Sequence, residues 1–251
     1  MKHGRVILNG QVLAVTESAD GRVQLPDGRV VAETDVQWLA PLEFGTIIAL
    51  GLNYADHVKE LSHELTVSTK DAPLVFLKGP NSLVGHRGFT PRPADASFMH
   101  YECELAVVIG RTAKRVQAAD AMQYVAGYTV CNDYAVRDYL ENWYRPNLRV
   151  KNRDASTVIG PWLVDASDVP DPHALALRTR VNGQQTQSGN TSHMIHRIPE
   201  LIAYLSSIMT LQAGDVILTG TPDGVVNVNA GDVVETEIDG IGTLVNTLQA
   251  A

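Results

Sequence analysis

In the stretch FMHYECELAVVIG, residues 98 to 110, Glu102 and Glu104 sit two apart at the mouth of an apolar run, Leu105 to Ile109. In a strand, residues i and i+2 share a face, so both carboxylates would project together, roughly 7 Å apart along the backbone. Like charges repel there unless a cation lies between them, and hard divalent cations prefer carboxylate oxygens. A third acid, Asp133, ends the apolar run YTVCND, a second predicted strand that could pair with the first and bring its acid to the same rim. The competing reading is a pair of solvent-facing acids on an edge strand. Cys103, between the two glutamates, faces the opposite way and is expected to pack.

Three further groups could do chemistry. GLNYADHVKEL places His57 and Glu60 three apart, neighbours if this segment is a helix. A carboxylate beside an imidazole orients it and raises its basicity, giving a base for a proton on carbon or water. The same pair also fits an exposed, charged helix. ILTGTPDGV ends an apolar strand with Thr219, Gly220, Thr221 and Pro222, where hydroxyls and backbone N–H groups could hold a carboxylate, or form an ordinary turn. RPNLRVKNRD gathers Arg145, Arg149, Lys151 and Arg153, either an anion site or a solvated face.

The elements that must position these groups are mostly strands. Asn9-Gly10 and Pro26-Asp27-Gly28 predict tight hairpins in the first forty residues, a small N-terminal β appendage over 1–42. The linker LAPLEFG leads to the strand TIIALG and a second unit, 43–251. There LVFLKG, CELAVVIG, AGYTVCNDYAV, PWLV, LALRTRVNGQQTQSG, GDVILTG and DVVETEIDGIGTLVNTL read as strands and hairpins. Helical patterns are fewer: LNYADHVKEL, AADAMQYV and IPELIAYLSSIM, where Pro199 suits a first turn. Strands and helices do not alternate regularly, which argues against a doubly wound sheet and for an α+β, mainly β domain.

The chain has 251 residues, 45% of them hydrophobic, enough for a sizeable core. A net charge of -8 argues against nucleic acid as a partner. Two cysteines do not make a disulfide framework, no stretch approaches a membrane span, and the N-terminus lacks a signal-peptide run; a cytoplasmic protein is expected. Common hydrolase, nucleotide and zinc signatures (G-x-S-x-G, the Walker loop, H-E-x-x-H, C-x-x-C) are absent.

Taken in order, the motifs G-x-N-Y-x-x-H-x-x-E at Gly51 to Glu60, E-x-E at 102 to 104, N-D-Y-x-x-R-D at 132 to 138, Lys151, and T-G-T-P at 219 to 222 resemble the fumarylacetoacetate hydrolase family, over roughly residues 45 to 248. HYECELAVVIG, AGYTVCNDYAVRDYLENWYRPNLRVKNRD and LIAYLSSIMTLQAGDVILTGTP look like its isomerase/decarboxylase branch of 4-hydroxyphenylacetate (homoprotocatechuate) catabolism, in particular the C-terminal half. The resemblance implies a mixed β-sandwich or roll with few helices. It implies Mg2+ or Mn2+ on Glu102, Glu104 and Asp133, with Ca2+ as a possible substitute in a crystal. His57, oriented by Glu60, would move protons, and Lys151 would sit near the oxo or enolate oxygen. Asn53, Tyr54, Arg137, Thr219, Gly220 and Thr221 would hold the substrate, a small polycarboxylate 2-oxo acid.

The implied reaction converts 5-oxopent-3-ene-1,2,5-tricarboxylate to 2-hydroxyhepta-2,4-dienedioate, or isomerises the latter to 2-oxohept-3-enedioate, through a metal-bound enolate. Acylpyruvate or fumarylpyruvate hydrolysis and oxaloacetate decarboxylation are the alternatives. The chain resembles a stand-alone half, so a homodimer or larger homo-oligomer, or a paralogous N-terminal-half subunit, is the expected partner. The polar segment around 58–72 reads as a lid that closes over a reactive enolate.

Overall fold

The structure is a computed structural model of the chain and describes residues 1–55, 72–140 and 147–251. In chain order the strands are β1 (Lys2–Leu8), β2 (Gln11–Glu17), β3 (Val23–Gln24), β4 (Val30–Val31), β5 (Gln37–Trp38), β6 (Ile47–Gly51) and β7 (Leu74–Lys78). Next come β8 (Leu83–Val84), β9 (Phe89–Arg92), β10 (Met99–His100), β11 (Cys103–Ile109), β12 (Val125–Asp133), β13 (Ala135–Val136) and β14 (Thr157–Asp165). The last are β15 (Ala176–Val181), β16 (Gln184–Asn190), β17 (Val216–Leu218), β18 (Val233–Ile238) and β19 (Gly242–Ala250). Among the described residues, α-helix comprises Ala55, the single turn α1 (Leu148–Lys151) and α2 (Ile198–Ile208), with 3-10 turns elsewhere. The fold is α+β and mainly β.

The hairpin tips follow their turn chemistry. Asn9 and Gly10 take φ of 50° and 78°, as do Asn182 and Gly183 at 52° and 79°, the left-handed pairs that join β1 to β2 and β15 to β16. The largest sheet runs β4-β3-β2-β1-β14-β12-β11-β17-β6-β7, with β5 pairing β1 and β8 pairing β14. It is mixed, since β17 lies parallel to β6 and antiparallel to β11. A second sheet runs β16-β15-β18-β19-β9, and β10 pairs with β13 as a short ribbon.

Along β11 alternate residues enter two different cores. Cys103, Leu105, Val107 and Ile109 join the main apolar cluster with Leu177, Ile238 and Leu244 of the second sheet and with α2. Ala106 and Val108 face the other way, onto Ile47, Ile159, Val216 and Leu218, covered by Leu42 and Phe44 of the linker. Burial on both faces explains why this strand is an unbroken apolar run. The helix α2 forms where expected: Pro199 lies in its first turn, Glu200 accepts the Arg197 N–H at 3.0 Å, and Ile198, Leu201, Ile202 and Leu205 line its buried stripe. Burying each such side chain stabilises the fold by roughly 1.5–3 kcal/mol.

The helix read over AADAMQYV is instead a 3-10 turn, Ala118–Tyr124, closed by the Val125 N–H on the Met122 carbonyl. With β12 beginning at Val125, the segment has no room for further α turns. The helix read over LNYADHVKEL lies largely outside the described residues. The N-terminal strands keep a cluster of their own, Val6, Val15, Val23, Leu25 and Trp38, which takes in Trp162 of β14. Two β1 positions also pair with β14, His3 opposite Leu163 and Lys2 opposite Val164. No helix among the described residues is long and apolar enough to cross a membrane.

Candidate metal centre

The three acids meet because β11 and β12 are direct antiparallel neighbours. Glu104 pairs with Cys131 and Cys103 with Asn132, so Asp133 comes level with Glu102 at the open end of the ladder. The Asp133 N–H donates to the Glu102 carbonyl at 3.0 Å, and the Glu102 N–H donates to Asn132 Oδ1 at 2.9 Å. These bonds extend the pairing past the strand ends. One carboxylate oxygen from each of Glu102, Glu104 and Asp133 lies within 4.8 Å of the others, and all three residues are buried.

Two lysines and an arginine offset this charge. Lys151, at the end of α1, places Nζ 2.5 Å from Glu102 Oε2 and 3.0 Å from Asp133 Oδ2. Burial opposes charge on Lys151, but the Asp133, Glu102 and Glu104 carboxylates outweigh it, so its pKa is raised and it stays protonated. Lys78, at the end of β7, has a fully buried side chain, stands 2.5 Å from Asp133 Oδ1 and also donates to the Lys151 carbonyl. Arg137 donates to Glu102 Oε1 at 3.1 Å and, through Nε, to His100 Nε2 at 2.9 Å.

Glu104 is served differently. Its Oε2 accepts the Gly220 N–H at 2.6 Å, but its buried Oε1 receives no hydrogen bond among the described residues. Burial, then the charges of Asp133 and Glu102, push its pKa well above the usual carboxylate value. A buried acceptor without a donor, facing two other carboxylates, is the arrangement a hard divalent cation satisfies. The residues present therefore fit Mg2+ or Mn2+.

The other predicted site residues divide into two groups. Arg137, Lys151 and Gly220 touch the acids directly. Thr219 and Thr221 flank Gly220, Asn53 bonds to Thr219, and Tyr54 lies near Glu104. Thr219 Oγ1 donates to the Leu105 carbonyl at 2.8 Å. Asn53 donates to the Thr219 and His196 carbonyls and accepts the His196 N–H, so it ties the end of β6 to two loops. Tyr54 is fully buried, its phenol pushed up by burial and by nearby Cys103 and Glu104. Thr221 accepts from Gln187. His57, Glu60, Arg145 and nearly all of 58–72 lie outside the described residues. The Arg149 and Arg153 guanidinium groups stack over the Tyr139 ring, at 4.7 and 5.5 Å from its centroid. Cys103 is buried in the main core, as expected, and burial pushes its thiol far up.

Sequence reasoning missed Lys78. Its one visible signal is a cation on the same face of a strand as Phe76, just before Gly79-Pro80, where an unpaired charge would be costly to bury. It missed Asn132 and Gln187 as well, because amides inside strands carry no local mark of their partners.

Residues 46–249 match the model of the fumarylacetoacetate (FAA) hydrolase C-terminal domain. The chain belongs to this family. It is 58% identical over 204 residues to the 4-hydroxyphenylacetate degradation bifunctional isomerase/decarboxylase of Salmonella dublin, covering 81% of this chain and 47% of that protein. The chain spans about half the length of this curated relative and of two similar ones from Escherichia coli. In structure it is similar to a 5-carboxymethyl-2-hydroxymuconate delta-isomerase from Mycobacterium smegmatis, at a TM-score of 0.87 and 38% identity over 100% of this chain and 99% of that one. A fumarylpyruvate hydrolase from Pseudomonas aeruginosa, in complex with Mn2+ and pyruvate, aligns at a TM-score of 0.77 and 30% identity over 84% of this chain and 91% of that one.

Proposed function

We propose that the protein is a divalent-metal-dependent decarboxylase and tautomerase of a polycarboxylated 2-oxo-enoate. The reaction is conversion of 5-oxopent-3-ene-1,2,5-tricarboxylate to 2-hydroxyhepta-2,4-dienedioate, isomerisation of the latter to 2-oxohept-3-enedioate, or both. The observation that carries the reading is the buried Glu102, Glu104 and Asp133 set with its donor-less Glu104 oxygen. The similarity to enzymes named isomerase/decarboxylase supports the substrate class.

A Mg2+ or Mn2+ ion on these three carboxylates supplies Lewis acidity to a 2-oxo-carboxylate. Lys151 keeps a proton on Nζ beside the acids and offsets negative charge developing on the substrate oxygen. Arg137, braced by His100 and Glu102, presents a fixed cation to a further carboxylate. Gly220 borders Glu104 from the opposite loop, and Thr221 follows it. His57, oriented by Glu60, is proposed from sequence as the group that moves the proton on carbon. Asn53 and Tyr54 shape the floor of the site, and the segment around 58–72 is proposed as its lid.

A second reading, hydrolysis of a C–C bond in a fumarylpyruvate or acylpyruvate with His57 and Glu60 activating water, is favoured by the similarity to the fumarylpyruvate hydrolase. The deciding experiment supplies the tricarboxylate and the dienedioate separately, with Mg2+ and then with chelator. CO2 release from the first establishes decarboxylation. Absorbance change in the second with no CO2 from the first establishes isomerisation alone. Turnover that persists in chelator, or in Glu102→Ala, would sink the metal mechanism. The unmatched half of the longer relatives supports a homodimer, or pairing with a paralogous subunit, checked by light scattering of the protein alone and mixed with such a subunit.

A further inference from the structure

The loop of Thr219 to Pro222 touches Glu104 on one side and is gripped by β16 on the other. Gln187 of β16 is 2% exposed. Its Nε2 donates to Thr221 Oγ1 and to the Pro222 carbonyl, both at 2.9 Å, while its Oε1 accepts from Thr179 Oγ1 at 3.1 Å. Gly189 permits this approach, because a β-carbon there would stand 2.7 Å from the Pro222 ring carbons.

These partners leave the amide one orientation. A carbonyl oxygen only accepts, so the Gln187 nitrogen must face Pro222, and Thr221 beside it, leaving the oxygen for Thr179. Thr221 Oγ1 is then an acceptor in its bond with Gln187. Its own proton has to be given elsewhere, and among the described residues no hydrogen bond takes it. Thr221 is 3% exposed and directly follows Gly220, whose N–H meets Glu104, so its hydroxyl belongs to the buried loop that borders the acids. Thr179 donates to Gln187 and Gln187 to Thr221, and successive bonds in one direction polarise one another.

We infer that Gln187 is a positioning residue that commits Thr221 to donate, making the 219–222 loop a subsite for a carboxylate or carbonyl oxygen and closing it to amide nitrogen. The inference rests on the proposed function in setting a substrate carboxylate beside Thr221. It adds a residue of the second sheet to the specificity of the site and gives that sheet a part in binding.

The test uses the Mn2+-loaded protein with oxalate and its amide analogue oxamate, titrated calorimetrically. Gln187→Met is expected to weaken oxalate by about tenfold, the size of one lost hydrogen bond to a charged group. KM for the substrate should rise by about the same factor, with kcat changed less than about threefold and Mn2+ affinity unchanged. Gln187→Glu reverses the bond, turning the Thr221 hydroxyl toward the new carboxylate, and should lower the oxalate-to-oxamate preference. In a Thr221→Val background, Gln187→Met should cost nothing further, since its effect runs through that hydroxyl. Should Gln187→Met not fold, Thr179→Val breaks the upstream link and is expected to weaken oxalate in the same direction.

Equal oxalate affinity in wild type and Gln187→Met overturns the inference, as does an equal loss in the Thr221→Val background or a parallel loss of Mn2+. Absence of turnover on both proposed substrates, with the oxalate results intact, would remove the proposed reaction and leave the positioning role standing. Wild type failing to bind oxalate would overturn the subsite itself.

Discussion

Glu104 carries the most unfavourable charge in the centre, and this gives its neutral isostere an unusual signature. A carboxyl whose pKa is raised on folding contributes stability below its unfolded value, near 4.5, and that contribution is lost as pH rises through the folded value. Glu104→Gln removes the titration while keeping an acceptor for the Gly220 N–H. In chelator at pH 8 it should therefore melt above wild type, with the advantage shrinking toward pH 4.5, while Mn2+ binding by calorimetry is abolished. Lys78 behaves in the opposite way. Removing one partner of a buried pair strands the other, so Lys78→Met should cost about 3–5 kcal/mol in urea unfolding. The acids were legible because period-2 spacing and a strand-ending aspartate are local marks. Lys78 was not, because its partner Asp133 lies 55 residues further along and only the sheet order brings them together.

Among the elements, the N-terminal strands are fastened by a histidine that the sequence did not single out. His86 packs edge-on to Trp38 at 5.4 Å, accepts the Val245 N–H at Nδ1 and meets Glu33 through Nε2. Burial depresses its pKa, and the Val245 N–H requires an unprotonated Nδ1. The His86 contact, then that of Arg87, holds the half-buried Glu33 down to about 2 against the cost of its burial. A histidine with a depressed folded pKa stabilises above its unfolded value, near 6.5, and the contribution is lost as pH falls. Acidification from pH 7 to 5 should thus loosen β1 to β5, read as a Trp38 fluorescence change that His86→Phe suppresses. Glu33 sustains its part until pH falls below 4.5 toward 2. Hairpins tipped by Asn-Gly were legible from two residues each. The 3-10 turn at Ala118–Tyr124 was not, because apolar spacing over seven residues does not separate it from α-helix.

For the whole molecule, a cation that binds the folded centre should raise stability through mass action. Mn2+ at a hundred times its dissociation constant adds about 2.7 kcal/mol, or about 5–10 °C in Tm for a chain of this size, and chelator should reverse it in a thermal melt. The division into 1–42 and 43–251 remains a proposal. The first unit has its own apolar cluster, yet β1 pairs with β14, a joint set by residues about 160 positions apart and invisible to any local pattern. The ladder that carries the acids has one last consequence. Glu102, Glu104 and Asp133 are spaced by the pairing of β11 with β12, whereas Lys151, Gly220 and Thr221 come from a helical turn and a loop. Drift in those connecting segments can alter what is bound without disturbing the spacing of the acids. One inherited scaffold is thereby free to diversify at its rim, in keeping with relatives named isomerase, decarboxylase and hydrolase.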